Sequence, residues 1–226
     1  MMKSELAVIA VLAPAGLVFA QVGSVTLDSD AAFLALGADE LFVAEARNVT
    51  SKTSKINADW ELGLGPTTQQ AGAFDQKNTV WVDEAEYDFT LTVGAGGALD
   101  WEIVGGGSTI TLSDSADVTD LGSVFIRVAG LNDENTASLF DLNLDGTAIT
   151  DTVIGQSGGA NYIVLFGADI EDGFTLTGTF QWDFGENNPG SRPSIQIKGA
   201  TGNPIPTPGA LALAALAGGL GIRRKR

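Results

Sequence analysis

The 226-residue chain contains no cysteine and no histidine. Without cysteine there is no disulfide and no thiolate nucleophile. Without histidine there is no Ser-His-Asp or Cys-His machinery and no His-based zinc site. Positive charge is scarce too: 12 Lys+Arg stand against 28 Asp+Glu, a formal net charge of −16. Such a balance repels nucleic acid and anionic membrane surfaces and argues against both as partners. Helix signals are almost missing. Only Asp28 to Leu36 reads as a helix, with Ser29 or Asp30 as cap before Ala31-Ala32-Phe33-Leu34.

What is present is glycine, 29 residues of it, and a hydrophobic period of two. Tyr87, Phe89, Leu91 and Val93 alternate with Asp88, Thr90 and Thr92. Leu99, Trp101 and Ile103 alternate with Asp100 and Glu102. Further strands are expected at 24–27, 40–49, 60–64, 79–82, 110–112, 123–129, 138–144, 161–166, 174–184 and 194–197. No alternation of strands with helices appears, so a parallel α/β sheet is disfavoured. About ten to twelve one-sided strands between Gly, Asn and Asp turns predict an all-β fold. The expected form is an antiparallel, jelly-roll-like β-sandwich of two packed sheets.

The two ends are of another kind. Lys3 precedes an apolar run from Leu6 to Phe19, and Val18-Phe19-Ala20 supplies small residues for a signal peptidase, so cleavage is expected after Ala20. At the other end Pro206-Thr207-Pro208 leads into an Ala/Leu/Gly run from Gly209 to Ile222, closed by Arg223-Arg224-Lys225-Arg226. As a helix that run would cover roughly 21 Å, short of the roughly 30 Å hydrocarbon core. The terminal cations would hold its end on the cytoplasmic side. The expected organisation is a signal peptide at 1–20, a β-sandwich at 21–202 and a sorting segment at 203–226. Without the ends, seven Lys+Arg face 27 Asp+Glu, a net charge of −20 for the domain.

A Pro-x-Pro motif, an apolar helix and an Arg-rich end in that order resemble the PEP-CTERM sorting signal of Gram-negative bacteria. Thr207 stands where that family usually has Glu. The resemblance covers about a tenth of the chain and implies an exosortase, a membrane cysteine transpeptidase-like enzyme, as processing partner. It also implies delivery to the cell surface or to an exopolysaccharide matrix. The stretch from Trp81 to Leu91, WVDEAEYDFTL, is loosely similar to exported bacterial sandwich domains with interchangeable C-terminal anchors, and implies a β-sandwich of no known activity.

Candidate sites in the domain are few. Asp141-Leu142-Asn143-Leu144-Asp145-Gly146 matches the first half of an EF-hand loop, but position twelve is Thr152. Its alternation reads as a strand ending in an Asp-Gly hairpin turn. Asp114, Asp117 and Asp120 share one loop region, and Asp169, Glu171 and Asp172 another. A structural calcium between such loops is the one cofactor these residues suggest. Solvated acidic turns are the plainer reading. Trp60, Trp101 and Trp182 fall on apolar phases and are expected in the core. Trp81, flanked by Val80 and Val82, has the phase that points toward water. A Trp81 buried or half-buried under a neighbouring loop is the plainer reading; the alternative is a ring that stacks on a sugar. Gly105-Gly106-Gly107 has no Lys-Ser/Thr after it and is no phosphate loop.

The expected function is that of an exported, exosortase-processed surface or matrix protein with a structural or adhesive role and no catalysis. The alternatives are an exopolysaccharide-binding module using Trp81 and a secreted glycan-active enzyme, for which no carboxylate pair stands out.

Overall fold

A computed structural model of the chain describes residues 22–47, 62–66, 75–77, 79, 81–130, 135–155, 159–167, 170–184 and 193–202. Among the described residues, fourteen strands run from Gly23 to Thr201. They are β1 (Gly23–Leu27), β2 (Glu40–Arg47), β3 (Leu62–Gly65), β4 (Asp75–Lys77), β5 (Glu86–Gly94), β6 (Ala98–Gly105) and β7 (Ser108–Ser115). Then come β8 (Leu121–Ala129), β9 (Asn135–Leu144), β10 (Thr147–Ala148), β11 (Val153–Gly155), β12 (Ala160–Phe166), β13 (Gly173–Phe184) and β14 (Ser194–Thr201). All pairings are antiparallel. Sheet A has the order β1-β12-β8-β14-β2-β3-β4, and sheet B the order β10-β9-β13-β5-β6-β7, with β11 on the same edge of β9 as β10.

The two sheets bury one core between them. Leu91, Trp101, Leu112, Leu139, Leu176 and Trp182 from sheet B meet Phe42, Leu64, Val124, Ile126, Ile163 and Ile197 from sheet A. Each such side chain contributes about 1.5–3 kcal/mol on burial. The period of two therefore becomes a half-buried sandwich, as the alternation on β5 and β6 predicts. Gly199 of β14 is required here: a Cβ on it would sit 2.1 Å from the Phe42 ring that lies across it.

Sheet A differs from the simple expectation because its outer face is largely buried as well. Phe33, Phe125, Ala129, Ala160, Tyr162, Val164 and Ala200 form a second apolar cluster there. The helix over it, α1, spans Asp30–Leu34 and is shorter than the expected 28–36. Ser29 is its N-cap, with Oγ accepting from Ala32 N–H at 3.2 Å.

Two-residue turns join β6 to β7 and β9 to β10. Gly106 and Gly107 have φ of 55° and 79°, and Asp145 and Gly146 have 49° and 84°, the type I′ hairpin geometry. The Asp-Gly turn expected from the sequence is thus present. Asp141, φ 54°, lies where the β9–β13 register shifts, in a bulge. The strand expected at 79–82 is corrected: Trp81 and Val82 are not in a strand, and they lead into a turn closed by Ala85 N–H to the Val82 carbonyl at 3.2 Å. The short strands β4, β10 and β11 and a 3-10 turn at Ile170–Asp172 were not expected. Trp60, the signal peptide and the C-terminal segment lie outside the described residues. No helix among the described residues is long and apolar enough to cross a membrane.

Candidate functional site

The turn after Trp81 decides the fate of that residue. The strand phase that pointed Trp81 to water does not apply, because the segment folds across the end of the sandwich. Trp81 is 5% exposed and packs on Tyr87, Phe180 and Trp182 with ring centroids 4.9, 5.6 and 5.7 Å away. Its indole N–H donates to the Arg47 carbonyl at 2.9 Å. The burial favoured for Trp81 is thus observed and the alternative of a sugar-stacking ring is corrected: the ring is a core side chain, as Trp101 and Trp182 are.

The described acids of the 114–120 loop sit in local turns. Asp114 Oδ1 accepts from Ser115 N–H at 2.8 Å. Asp117 Oδ1 accepts from Thr119 N–H at 3.1 Å and from its hydroxyl at 2.6 Å, and these bonds hold its carboxyl below the usual range. Asp120 offers its backbone carbonyl to Gly202 N–H at 3.1 Å. Glu171 and Asp172 are exposed on the 3-10 turn, and Asp169 lies outside the described residues. Among the described residues no three Asp or Glu side chains are placed to hold a metal. In the EF-like stretch, Asn143 Oδ1 accepts from Gly146 N–H and Asp145 Oδ1 from Thr175 N–H, both at 2.7 Å, which fixes the hairpin. The sorting residues Pro206, Thr207, Pro208, Arg223, Arg224, Lys225 and Arg226 lie outside the described residues.

Two constellations emerge that the sequence did not single out. The first clasps α1 to sheet A. The Asp30 carboxylate takes two bonds from Arg127, Nε to Oδ1 at 2.9 Å and Nη2 to Oδ2 at 3.2 Å. The Tyr162 hydroxyl also donates to Asp30, and Arg127 Nη1 reaches Ser194 Oγ at 3.2 Å. Phe33 stacks on Tyr162 at 5.1 Å and meets Phe125 edge-on at 5.0 Å. Lys198 lies 5.2 Å from the Phe33 ring centroid and pairs with Glu40. The Arg127 bonds outweigh desolvation and hold the Asp30 carboxyl below the usual range. Burial pushes the Tyr162 phenol up, and its bond to Asp30 adds to this. One signal could have found this cluster. Arg127 is a lone cation in the run Val124-Phe125-Ile126-Arg127-Val128, and a buried cation needs a partner.

The second is the outer face of sheet B. Registers place Asn143, Thr177, Thr90, Glu102 and Thr111 in one row across five strands. Thr175, Thr92, Asp100 and Ser113 form the next row, and Phe140, Thr179, Asp88, Val104 and Thr109 a third. Rows repeat at about 6.8 Å along the strands and columns at about 4.8 Å across them. Thr179 donates to Asp88 and Ser113 to Asp100, each at 2.7 Å. A shallow groove of about 360 Å³ runs over Thr90, Thr92, Asp100, Glu102, Thr111 and Ser113. A larger cleft of about 540 Å³ lies between α1, β1, β11 and β12. Its Asn161 is already committed to the Ile154 carbonyl at 2.7 Å, and its Tyr162 to Asp30.

Charge is segregated between the sheets. The strands of sheet B carry Glu86, Asp88, Asp100, Glu102, Asp114, Asp141 and Asp183 and no Lys or Arg. The strands of sheet A carry Arg47, Lys77, Arg127 and Lys198 against Glu40, Glu45 and Asp75. Comparison with models of known protein families finds no match, and a search of curated proteins finds no significant similarity.

Proposed function

We propose that this chain is an exported protein of the PEP-CTERM type, cut by signal peptidase at one end and by an exosortase at the other. It is then held at the cell surface or in an exopolysaccharide matrix, with a structural or adhesive role and no catalysis. It meets the membrane only through its C-terminal segment, before processing. The observation that carries this reading is the position of the strands. Among the described residues they run from Gly23 to Thr201, so both expected processing points fall outside the described strands. Cutting after Ala20 and beyond Asn203 would remove none of the described strands.

The wrapping of the chain supports a jelly-roll-like passenger. It crosses from sheet A to sheet B between β4 and β5, between β8 and β9 and between β12 and β13, and returns for β8, β12 and β14. An acidic, cysteine-free domain of this kind stays soluble outside the cell and needs no oxidative folding. Terminal mass spectrometry of the protein from surface and medium fractions tests the reading. The expected product begins at Gln21 and lacks the basic end. An intact chain ending at Arg226 in the cytoplasm would defeat it.

Carbohydrate binding is retained as a second reading because of the sheet B face. It no longer rests on Trp81.

A further inference from the structure

We propose that the outer face of sheet B is a docking surface for an amine-bearing polysaccharide, a polymer of sugars with free amino groups. The inference rests on the reading of the chain as a matrix protein, which makes polysaccharide its neighbouring material.

Three observations point to this occupant. The first is charge. No strand of sheet B carries a Lys or Arg, while its outer rows present Asp88, Asp100 and Glu102. A polyanion is repelled there, and a polycation is attracted.

The second is the state of the hydroxyls. Among the described residues, no intramolecular hydrogen bond engages the side chains of Thr90, Thr92, Thr111, Thr175 or Thr177. Each is a donor and a two-fold acceptor without a protein partner, the chemistry that matches sugar hydroxyls. The face is a lattice repeating at about 4.8 and 6.8 Å, which suits an extended, repeating chain.

The third is the spacing of the acids. Asp100 and Glu102 are two residues apart on β6, so about 6.8 Å separates them along the strand. No three acids among the described residues are placed to hold one metal. Separate carboxylates pair with separate ammonium groups, whereas calcium needs six to eight oxygens around one point. Phe140, the β9 partner of Thr179, is half-buried at the end of the third row, while Asp100 and Glu102 on β6 stand among hydroxyls, so recognition around them works through hydrogen bonds and charge.

The test measures binding of the full chain, in mild detergent, to chitosan oligosaccharides and to fully acetylated oligomers of the same length. The amine-bearing oligomers are expected to bind about tenfold more tightly. Asp100→Asn with Glu102→Gln should weaken chitosan binding about tenfold. A charge-matched control, Asp120→Asn with Glu171→Gln, removes two exposed acids elsewhere and should change it by less than about twofold. Equal loss in the control would reduce the effect to net charge and overturn the proposal. So would equal affinity for the acetylated oligomers, or calcium-dependent binding to a polyuronate in place of chitosan. The comparison of oligomers uses the unaltered chain, so misfolding of a variant leaves that arm intact. Export is decided separately by the terminal masses. A processed chain that ignores chitosan defeats this inference alone, and an unprocessed chain that binds it defeats the export reading alone.

Discussion

The indole N–H of Trp81 donates to the backbone carbonyl of Arg47 at 2.9 Å, tying the entry of sheet B to the end of β2 in sheet A. Next to it, Val82 N–H donates to the Tyr87 hydroxyl at 2.7 Å, and Glu84 N–H to the Trp182 carbonyl at 2.9 Å. One short turn thus closes an end of the sandwich.

Trp81→Ala should destabilise the domain by about 3–5 kcal/mol, the cost of a large cavity in a packed aromatic cluster. Trp81→Phe keeps most of the ring but leaves the Arg47 carbonyl without that donor, at about 1–2 kcal/mol. Urea denaturation at neutral pH measures both. A Trp81→Phe variant as stable as the unaltered chain would show that the hydrogen bond contributes nothing.

The clasp on α1 makes stability depend on pH. The Asp30 carboxyl titrates lower in the folded chain than in the unfolded one. Its contribution is therefore full above the unfolded value and fades as pH falls through about 4 and below. The Asp30 side chain is 55% exposed, so solvent screening limits the term to about 1 kcal/mol. Asp30→Asn should lower the midpoint of denaturation at neutral pH and flatten the acid limb of the stability curve. Tyr162 acts in the opposite direction. Its phenol titrates higher when folded, so its contribution is present below about pH 10 and is lost as pH rises beyond that.

Glu84 is a non-glycine residue in the left-handed region, at φ 58°. It occupies the third position of the Val82–Ala85 turn, where glycine is favoured. Relief of that strain exceeds the entropy that glycine adds to the unfolded chain, so Glu84→Gly should raise stability by up to about 1 kcal/mol. Thermal melting checks the sign.

The acids of the 114–120 loop serve local turns. Replacing Asp114, Asp117 and Asp120 together by Asn should leave the response of Tm to added calcium unchanged. Loss of a calcium-induced rise in Tm on that replacement would restore the loop as a metal site.

Much of sheet B was legible in the sequence. Strands β5 and β6 have one wet face and one dry face, so their residues alternate and their ends fall at glycines. Sheet A was harder to read because both its faces are largely buried. On β8 the burial is nearly continuous, and the alternation that assigns a face disappears. The clasp was hidden by separation: Asp30 lies 97 residues from Arg127 and 132 from Tyr162, and only strand order brings them together. The strand phase of Trp81 misled for a different reason. A side chain's phase has meaning only within a regular strand, and its segment is a turn. The hydroxyl rows of sheet B were visible singly, as Thr-Leu-Thr in β5 and β13, but their alignment depends on register.

The position of the last strand has a mechanical consequence. β14 lies between β8 and β2 and is hydrogen-bonded along its length on both sides. β1, by contrast, is an edge strand held on one side by β12. A pull applied beyond Gly202 enters the sheet at an inner strand and shears two ladders at once, so many hydrogen bonds bear the load together. A pull applied before Gly23 loads only the single β1–β12 ladder. The end of the domain nearest the expected attachment point is therefore the end built to carry tension.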